Sequence, residues 1–189
     1  MTDRCIIGTD EVGRGCLAGP VVAAAVLQKP GEQLVGCDSK SLSAKKRKTL
    51  CTQIECSSTY TLASKTPCHI DEHNILQSSL SAMKECVETL IEKHNISNPI
   101  VYVDGNKEIP GLPYEQHCIV KGDEKMPVIG AASILAKVYR DDYMTLLDYL
   151  TSEKYNFKKH KGYPTKEHYE KIKLHGISDY HRKTFKLNK

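Results

Sequence analysis

The chain has 189 residues, 40% of them hydrophobic, enough for one domain with a buried core and too few to argue for two. No run of about eighteen apolar residues occurs, which argues against a membrane-spanning helix. The opening Met1-Thr2-Asp3-Arg4-Cys5 lacks the basic and apolar regions of a secretion signal, so a cytoplasmic location with reduced thiols is expected.

In chain order, Cys5–Asp10 reads as a short apolar strand, followed by the glycine-rich turn Gly13-Arg14-Gly15. Residues 20–27 form a second apolar run. Ser43 is placed to cap a helix over 44–56 that opens with four basic residues, Lys45 to Lys48. Strand character returns at 59–63. Residues 70–94 are mostly helical, with Leu76, Leu80, Met83, Val87, Leu90 and Ile91 at three- and four-residue spacings, until Asn98-Pro99 breaks the pattern. A buried-type strand over 100–103 ends at Asp104-Gly105. A second over 115–120 ends at Lys121-Gly122-Asp123. Residues 128–150 read as one or two helices, 160–165 as a loop and 166–175 as a short basic helix. Strands mixed with helices in this order predict an α/β architecture.

Charge is unevenly spread. Residues 1–153 carry 16 Lys/Arg against 20 Asp/Glu, whereas residues 154–189 carry 11 against 3. A basic end on a mildly acidic body suits a polyanion gripped beside a carboxylate site, although a solvated tail would show the same balance. The eight cysteines are scattered and form no CxxC pair. Cys51, Cys56 and Cys68-His69 match no common zinc spacing, and quiet buried thiols are the better reading.

Chemistry is suggested where carboxylates follow apolar strands, at Asp10-Glu11, Asp104 and Asp123. Ligand crevices form at strand ends in open α/β sheets. A single Asp there is most simply a turn former or cap. As a set they form a hard-oxygen donor group of the kind Mg²⁺ prefers. Two such ions, roughly 3.5–4 Å apart, can clamp the attacking and leaving oxygens of a phosphodiester.

The ordered blocks of this sequence resemble the ribonuclease HII family, bacterial type, over nearly the whole chain. Gly8-Thr9-Asp10-Glu11-Val12-Gly13-Arg14-Gly15 with Ala18-Gly19-Pro20-Val21-Val22 resembles its opening signature. Asp38-Ser39-Lys40-Ser41-Leu42, Asp71-Glu72-His73-Asn74-Ile75-Leu76, Val103-Asp104-Gly105-Asn106 and Lys121-Gly122-Asp123 resemble later blocks. So do the run from Ala131 to Val138, His160-Lys161-Gly162-Tyr163-Pro164-Thr165 and the closing His181-Arg182-Lys183-Thr184-Phe185. Cys16 departs from the family, which has proline after the Gly-Arg-Gly turn.

The resemblance implies a ribonuclease H-like mixed sheet flanked by helices, as a single domain over 1–189 whose segment 154–189 is a small, basic, helical substrate-binding extension. It implies an endoribonuclease that cuts the RNA strand of RNA–DNA hybrids and the 5′ side of ribonucleotides embedded in duplex DNA, leaving 3′-OH and 5′-phosphate ends. Asp10, Glu11, Asp104 and Asp123 would be the catalytic carboxylates and hold Mg²⁺ or Mn²⁺, with Asp141 the alternative for the fourth. Gly13, Arg14 and Gly15 would meet the 2′-OH through their main chain, and Tyr163 would pack on the sugar at the RNA–DNA junction. Lys40, Ser133 and Lys137 are candidate phosphate contacts, the last two on one helical face. A monomer is expected, and no sliding-clamp motif is evident. A non-catalytic hybrid-binding module and another nuclease of the same fold, such as a junction resolvase, are the competing readings.

Overall fold

The structure is a computed structural model, and it describes residues 4–32, 34 and 42–188. Its centre is a five-stranded sheet built from β1 (Ile6–Val12), β2 (Val21–Gln28), β3 (Thr59–Lys65), β4 (Ile100–Asp104) and β5 (Glu115–Ile119). The order across the sheet is β3-β2-β1-β4-β5. The first three strands run antiparallel, while β1, β4 and β5 are parallel. The helices are α1 (Ala44–Ser57), α2 (Pro67–His94), α3 (Gly122–Lys125), α4 (Pro127–Leu150), α5 (Phe157–His160) and α6 (Lys166–His175). The expected mixed sheet flanked by helices is what forms.

Both faces of the sheet are covered, which explains why β2 is apolar without alternation. Ala23, Ala25 and Leu27 pack with Leu80, Met83, Val87 and Leu90 of α2. Val22, Ala24 and Val26 pack on the other face with Ile54 of α1 and with α4 from Val128 to Ala136. The helix ends follow the sequence closely. Ser43 caps α1, its side chain accepting from the Lys46 amide, and Thr165 caps α6 in the same way through His168. The expected helix over 70–94 begins earlier, at Pro67, and is interrupted at Asn74, whose φ of 63° breaks the helical path. Residues 128–150 form one helix, not two. No helix among the described residues is long and apolar enough to cross a membrane.

Two packing features position the carboxylates and the C-terminal segment. Gly8 of β1 lies against the start of α4, where a Cβ would come within 2.6 Å of the Val128 carbonyl carbon. That close approach brings α4 down onto the strand that carries Asp10. The segment after α4 is also built into the body: Tyr155 and Phe157 pack with Ala18, Met144 and Leu147 in a third apolar cluster.

Candidate active site

The carboxylates were expected just beyond their strands, and the structure corrects this for two of the three places. Asp10 and Glu11 lie inside β1, which continues to Val12 against β2. They are terminal only toward β4, where pairing stops at Thr9–Val103. The next step along the parallel pair sets Asp10 beside Asp104, the last residue of β4. Asp123 does not end a strand: β5 stops at Ile119, and Asp123 sits buried in the first turn of α3. It is tied to the others through its neighbour, because the Gly122 amide donates to Asp104 Oδ1 at 2.7 Å.

Successive strand residues face opposite sides of a sheet. Asp10 therefore looks toward α4, and Glu11 toward α2. Asp104, beside Asp10 and on the same face of the sheet, borders two adjoining depressions. One, of about 240 Å³, is lined by Asp10, Glu11, Asp104, Arg47, Ser133, Lys137 and Tyr163, with Val12 at its wall. The other, of about 190 Å³, shares Glu11 and Asp104 and adds Arg14, Asn106 and Lys107 over an apolar floor from α2. A groove thus crosses the sheet end, with carboxylates at its middle and cations along its sides.

The electrostatics of that middle are unfavourable for bare charge. Burial raises the Asp10 carboxyl well above its ordinary range, and Glu11 and Asp104 raise it further. The Ser133 hydroxyl and the Glu11 amide, the latter at 2.7 Å from Oδ1, pull it only partly back. Burial lifts Glu11 to about 7 despite its ion pair with Arg14 at 3.2 Å. Hard oxygen donors that resist ionisation together are a good match to a divalent cation, whose charge would reverse that resistance. Among the described residues, no three His, Cys, Asp or Glu side chains form a ready-made metal cage. Mg²⁺ usually keeps several waters and takes only one or two carboxylates from protein.

The remaining candidates fall in three groups. The Gly13-Arg14-Gly15 turn and Tyr163 lie on either side of Arg140, with Arg14 bordering the α2-side depression and Tyr163 the carboxylate cavity. Gly13 has φ 97°, and a side chain there would collide with the Arg140 guanidinium, so only glycine fits. The Tyr163 loop is fastened to the turn by Leu17 N–H donating to Gly162 O at 2.8 Å. Its ring lies 5.5 Å from Lys137 Nζ and 5.9 Å from the Arg140 guanidinium carbon. Cys16, where the family has proline, is buried beneath the turn and shares a hydrogen bond with the Tyr163 hydroxyl. Its amide reaches Gly13 O at 3.4 Å, a contact proline could not make.

Ser133 and Lys137 do share one face of α4 and border the cavity. Both are engaged, however: Ser133 with Asp10, and Lys137 with Asp141 at 2.8 Å. Asp141, the alternative fourth carboxylate, is not among the cavity's lining residues. Lys40 lies outside the described residues.

Sequence reasoning missed Arg47, seen only as one of four basic residues opening α1. It is the member of that run that borders the carboxylate cavity, its Nη2 donating to Leu42 O at 2.8 Å. It also missed Arg140 and Arg182, both fully buried. Arg140 donates to the carbonyls of Ala18, Pro20 and Lys161 at 2.9–3.0 Å. Nothing local in a sequence separates a buried arginine from a solvated one.

The ribonuclease HII family model matches residues 7–188. A ribonuclease HII of Hydrogenovibrio crunogenus is 49% identical over 189 residues, covering 98% of this chain and 87% of its own. Among solved structures, the ribonuclease HII of Archaeoglobus fulgidus, determined as a complex with PCNA, is 26% identical. It superposes with a TM-score of 0.72 over 97% of this chain and 96% of that one. Bst-RNase HIII, determined in complex with Mn²⁺, shares the fold at a TM-score of 0.76 and 16% identity, over 98% of this chain and 68% of that one. The chain therefore belongs to the ribonuclease HII family, endoribonucleases that cleave RNA in RNA–DNA hybrids and at ribonucleotides embedded in DNA.

Proposed function

We propose that Asp10, Glu11, Asp104 and Asp123 are the catalytic carboxylates, and that they hold Mg²⁺ or Mn²⁺ while the phosphodiester on the 5′ side of a ribonucleotide is hydrolysed. The observation that carries this is one cavity bordered by Asp10, Glu11 and Asp104, from adjacent parallel strands, and by Arg47 and Lys137. The reading for Asp123 is supported by its burial next to Gly122, whose amide grips Asp104. Divalent ions held there would supply an activated water and a clamp on the attacking and leaving oxygens, giving 3′-OH and 5′-phosphate ends.

The protein's own residues do the rest. Ser133 and the Glu11 amide fix the orientation of the Asp10 carboxylate, and Gly122 fixes that of Asp104. Lys137 and Arg47, with Lys40 from the family motif, offset the negative charge of the strand on entry. Ser133 is also proposed to approach the phosphate from the same helix face. The main chain of Gly13-Arg14-Gly15 meets the 2′-OH, and the Tyr163 ring packs on the following sugar. Residues 154–189 are proposed to grip the duplex as a basic substrate-binding extension of the same domain. The chain is proposed to act as a monomer.

The test is turnover on an RNA–DNA hybrid by wild type, by wild type with a chelator, and by Asp104→Asn. Cleavage should vanish with the chelator and fall by about 10³-fold in the variant, roughly 4 kcal/mol of barrier. Chelator-insensitive cleavage would reject the metal-dependent reading.

A further inference from the structure

Two motifs have no part in the chemistry proposed above: the segment beginning Asp71-Glu72-His73-Asn74, and the closing His181-Arg182-Lys183-Thr184. The structure joins them. The Asp71 carboxylate accepts from the Lys183 amide at 2.8 Å, the Thr184 amide at 2.9 Å and the Thr184 hydroxyl at 2.6 Å. That grip holds the chain immediately after Arg182. Arg182 is fully buried and has its own amide on Leu17 O at 2.8 Å. Its guanidinium spends its donors on backbone carbonyls alone: Gly13 O at 2.7 Å, Arg14 O at 2.9 Å, and Gly19 O at 2.9 and 3.1 Å.

The consequence lies in the peptide planes. In a trans peptide the C=O and the following N–H point in opposite directions, and no cis bond is present among the described residues. With the carbonyls of Gly13 and Arg14 turned inward to one guanidinium, the amides of Arg14 and Gly15 must point away from it. Consecutive outward amides make a concavity suited to an oxygen acceptor. Beyond Gly15 the space is open: a Cβ there would meet no atom within 4 Å. A buried guanidinium without a carboxylate is costly to keep, and a fixed amide pair is a function that would explain its retention.

We propose that Arg182, seated by Asp71, is a positioning residue for ribose recognition. It sets the Arg14 and Gly15 amides at the angle that distinguishes a ribonucleotide from a deoxyribonucleotide. The proposal rests on the reading that this turn's main chain meets the 2′-OH. Lysine offers three donors at a point and cannot span the same carbonyls, so Arg182→Lys should release the turn. Asp71→Ala should do so from a distance, through a half-buried side chain outside the apolar clusters.

The experiment compares kcat/KM on a DNA duplex carrying one ribonucleotide with Kd for the all-DNA duplex of the same sequence, for wild type, Arg182→Lys, Asp71→Ala and Gly15→Pro. Arg182→Lys and Asp71→Ala should each lose about 10- to 100-fold in kcat/KM, the scale of a small misplacement of a recognition group. Affinity for the all-DNA duplex should stay within about twofold, because phosphate contacts carry it. Parallel losses in both readouts, or activity that simply follows melting temperature, would mean the brace is structural only and overturn the proposal. Gly15→Pro removes one of the two amides and separates the layers. If it costs activity while Arg182→Lys and Asp71→Ala do not, the brace is wrong and the reading of the turn survives. If Gly15→Pro is harmless, the amide reading falls and the proposal falls with it.

Discussion

The carboxylate groove and the segment after α4 respond to protons in opposite senses, and the contrast shows how differently they are held together. In the groove, burial and mutual repulsion raise Asp10 and lift Glu11 to about 7, so the folded state binds protons more tightly than the unfolded chain. The cost of these charges is absent at acid pH and grows as pH rises through the carboxylate range toward 7. In the C-terminal segment, His168 and His181 face each other at 3.2 Å, packed around Phe157. Burial pushes both down to about 4. Their contribution is complete above about 6.5, the ordinary histidine value, and is lost as pH falls toward 4. One region is strained while its carboxylates are charged; the other is relaxed only while its histidines are neutral.

That contrast can be broken first at the carboxylates, where the largest effect is expected. Asp10→Asn should lower turnover by about 10³-fold or more, as loss of a group essential to the reaction does. It should nevertheless raise the melting temperature of the metal-free protein at pH 8, because it removes a buried charge that its neighbours oppose. The same substitution should shrink the stabilisation that Mn²⁺ gives the wild type. Thermal melts with and without Mn²⁺ measure both, and a destabilised metal-free variant would contradict the electrostatic account.

The histidine side is tested by metal-free melts between pH 7 and pH 4.5. His168→Gln and His181→Gln should flatten the acid-side loss of stability. An unchanged slope would show that these rings do not titrate with unfolding.

The next effect is one of substrate choice. Tyr163→Ala should reduce kcat/KM at a single embedded ribonucleotide about tenfold more than within a continuous hybrid, because only the former needs a deoxyribose packed on the ring. Equal losses would make Tyr163 a packing residue of its loop.

The smallest effect concerns the basic segment. Ion pairs already engage Lys158 with Glu153 and Lys159 with Glu167. Removal of the segment would also take Tyr155 and Phe157 from the core, so charge has to be tested by substitution. Combined Lys171→Gln, Lys173→Gln and Lys183→Gln should flatten the salt dependence of hybrid binding by about 0.9 for each phosphate that is no longer neutralised. An unchanged slope would place the duplex on another face.

Much of the fold was legible because it depends on local pattern. The apolar run of β2, the serine and threonine caps of α1 and α6, and the spacing along α2 each express a short-range rule. The carboxylates were legible as a set because polar residues inside apolar runs stand out. Their arrangement was not, since register between β1 and β4 decides that Asp10 neighbours Asp104 and that Glu11 turns to the other face. Asp123 was misplaced because a four-residue helix leaves almost no periodic signal. Least legible were Arg140, Arg182 and Asp71, whose partners are mostly main-chain groups, up to 169 positions away for Arg182 and Gly13.

The carboxylate groove should cut where the Gly-Arg-Gly turn and Tyr163 find a ribose, and cleavage mapping tests this most directly. A DNA duplex with one ribonucleotide, end-labelled on the substituted strand, should give a single Mg²⁺- or Mn²⁺-dependent cut on the 5′ side of that ribonucleotide, with 3′-OH and 5′-phosphate ends. Cutting at other positions, or a preference for a four-way DNA junction over this duplex, would contradict it.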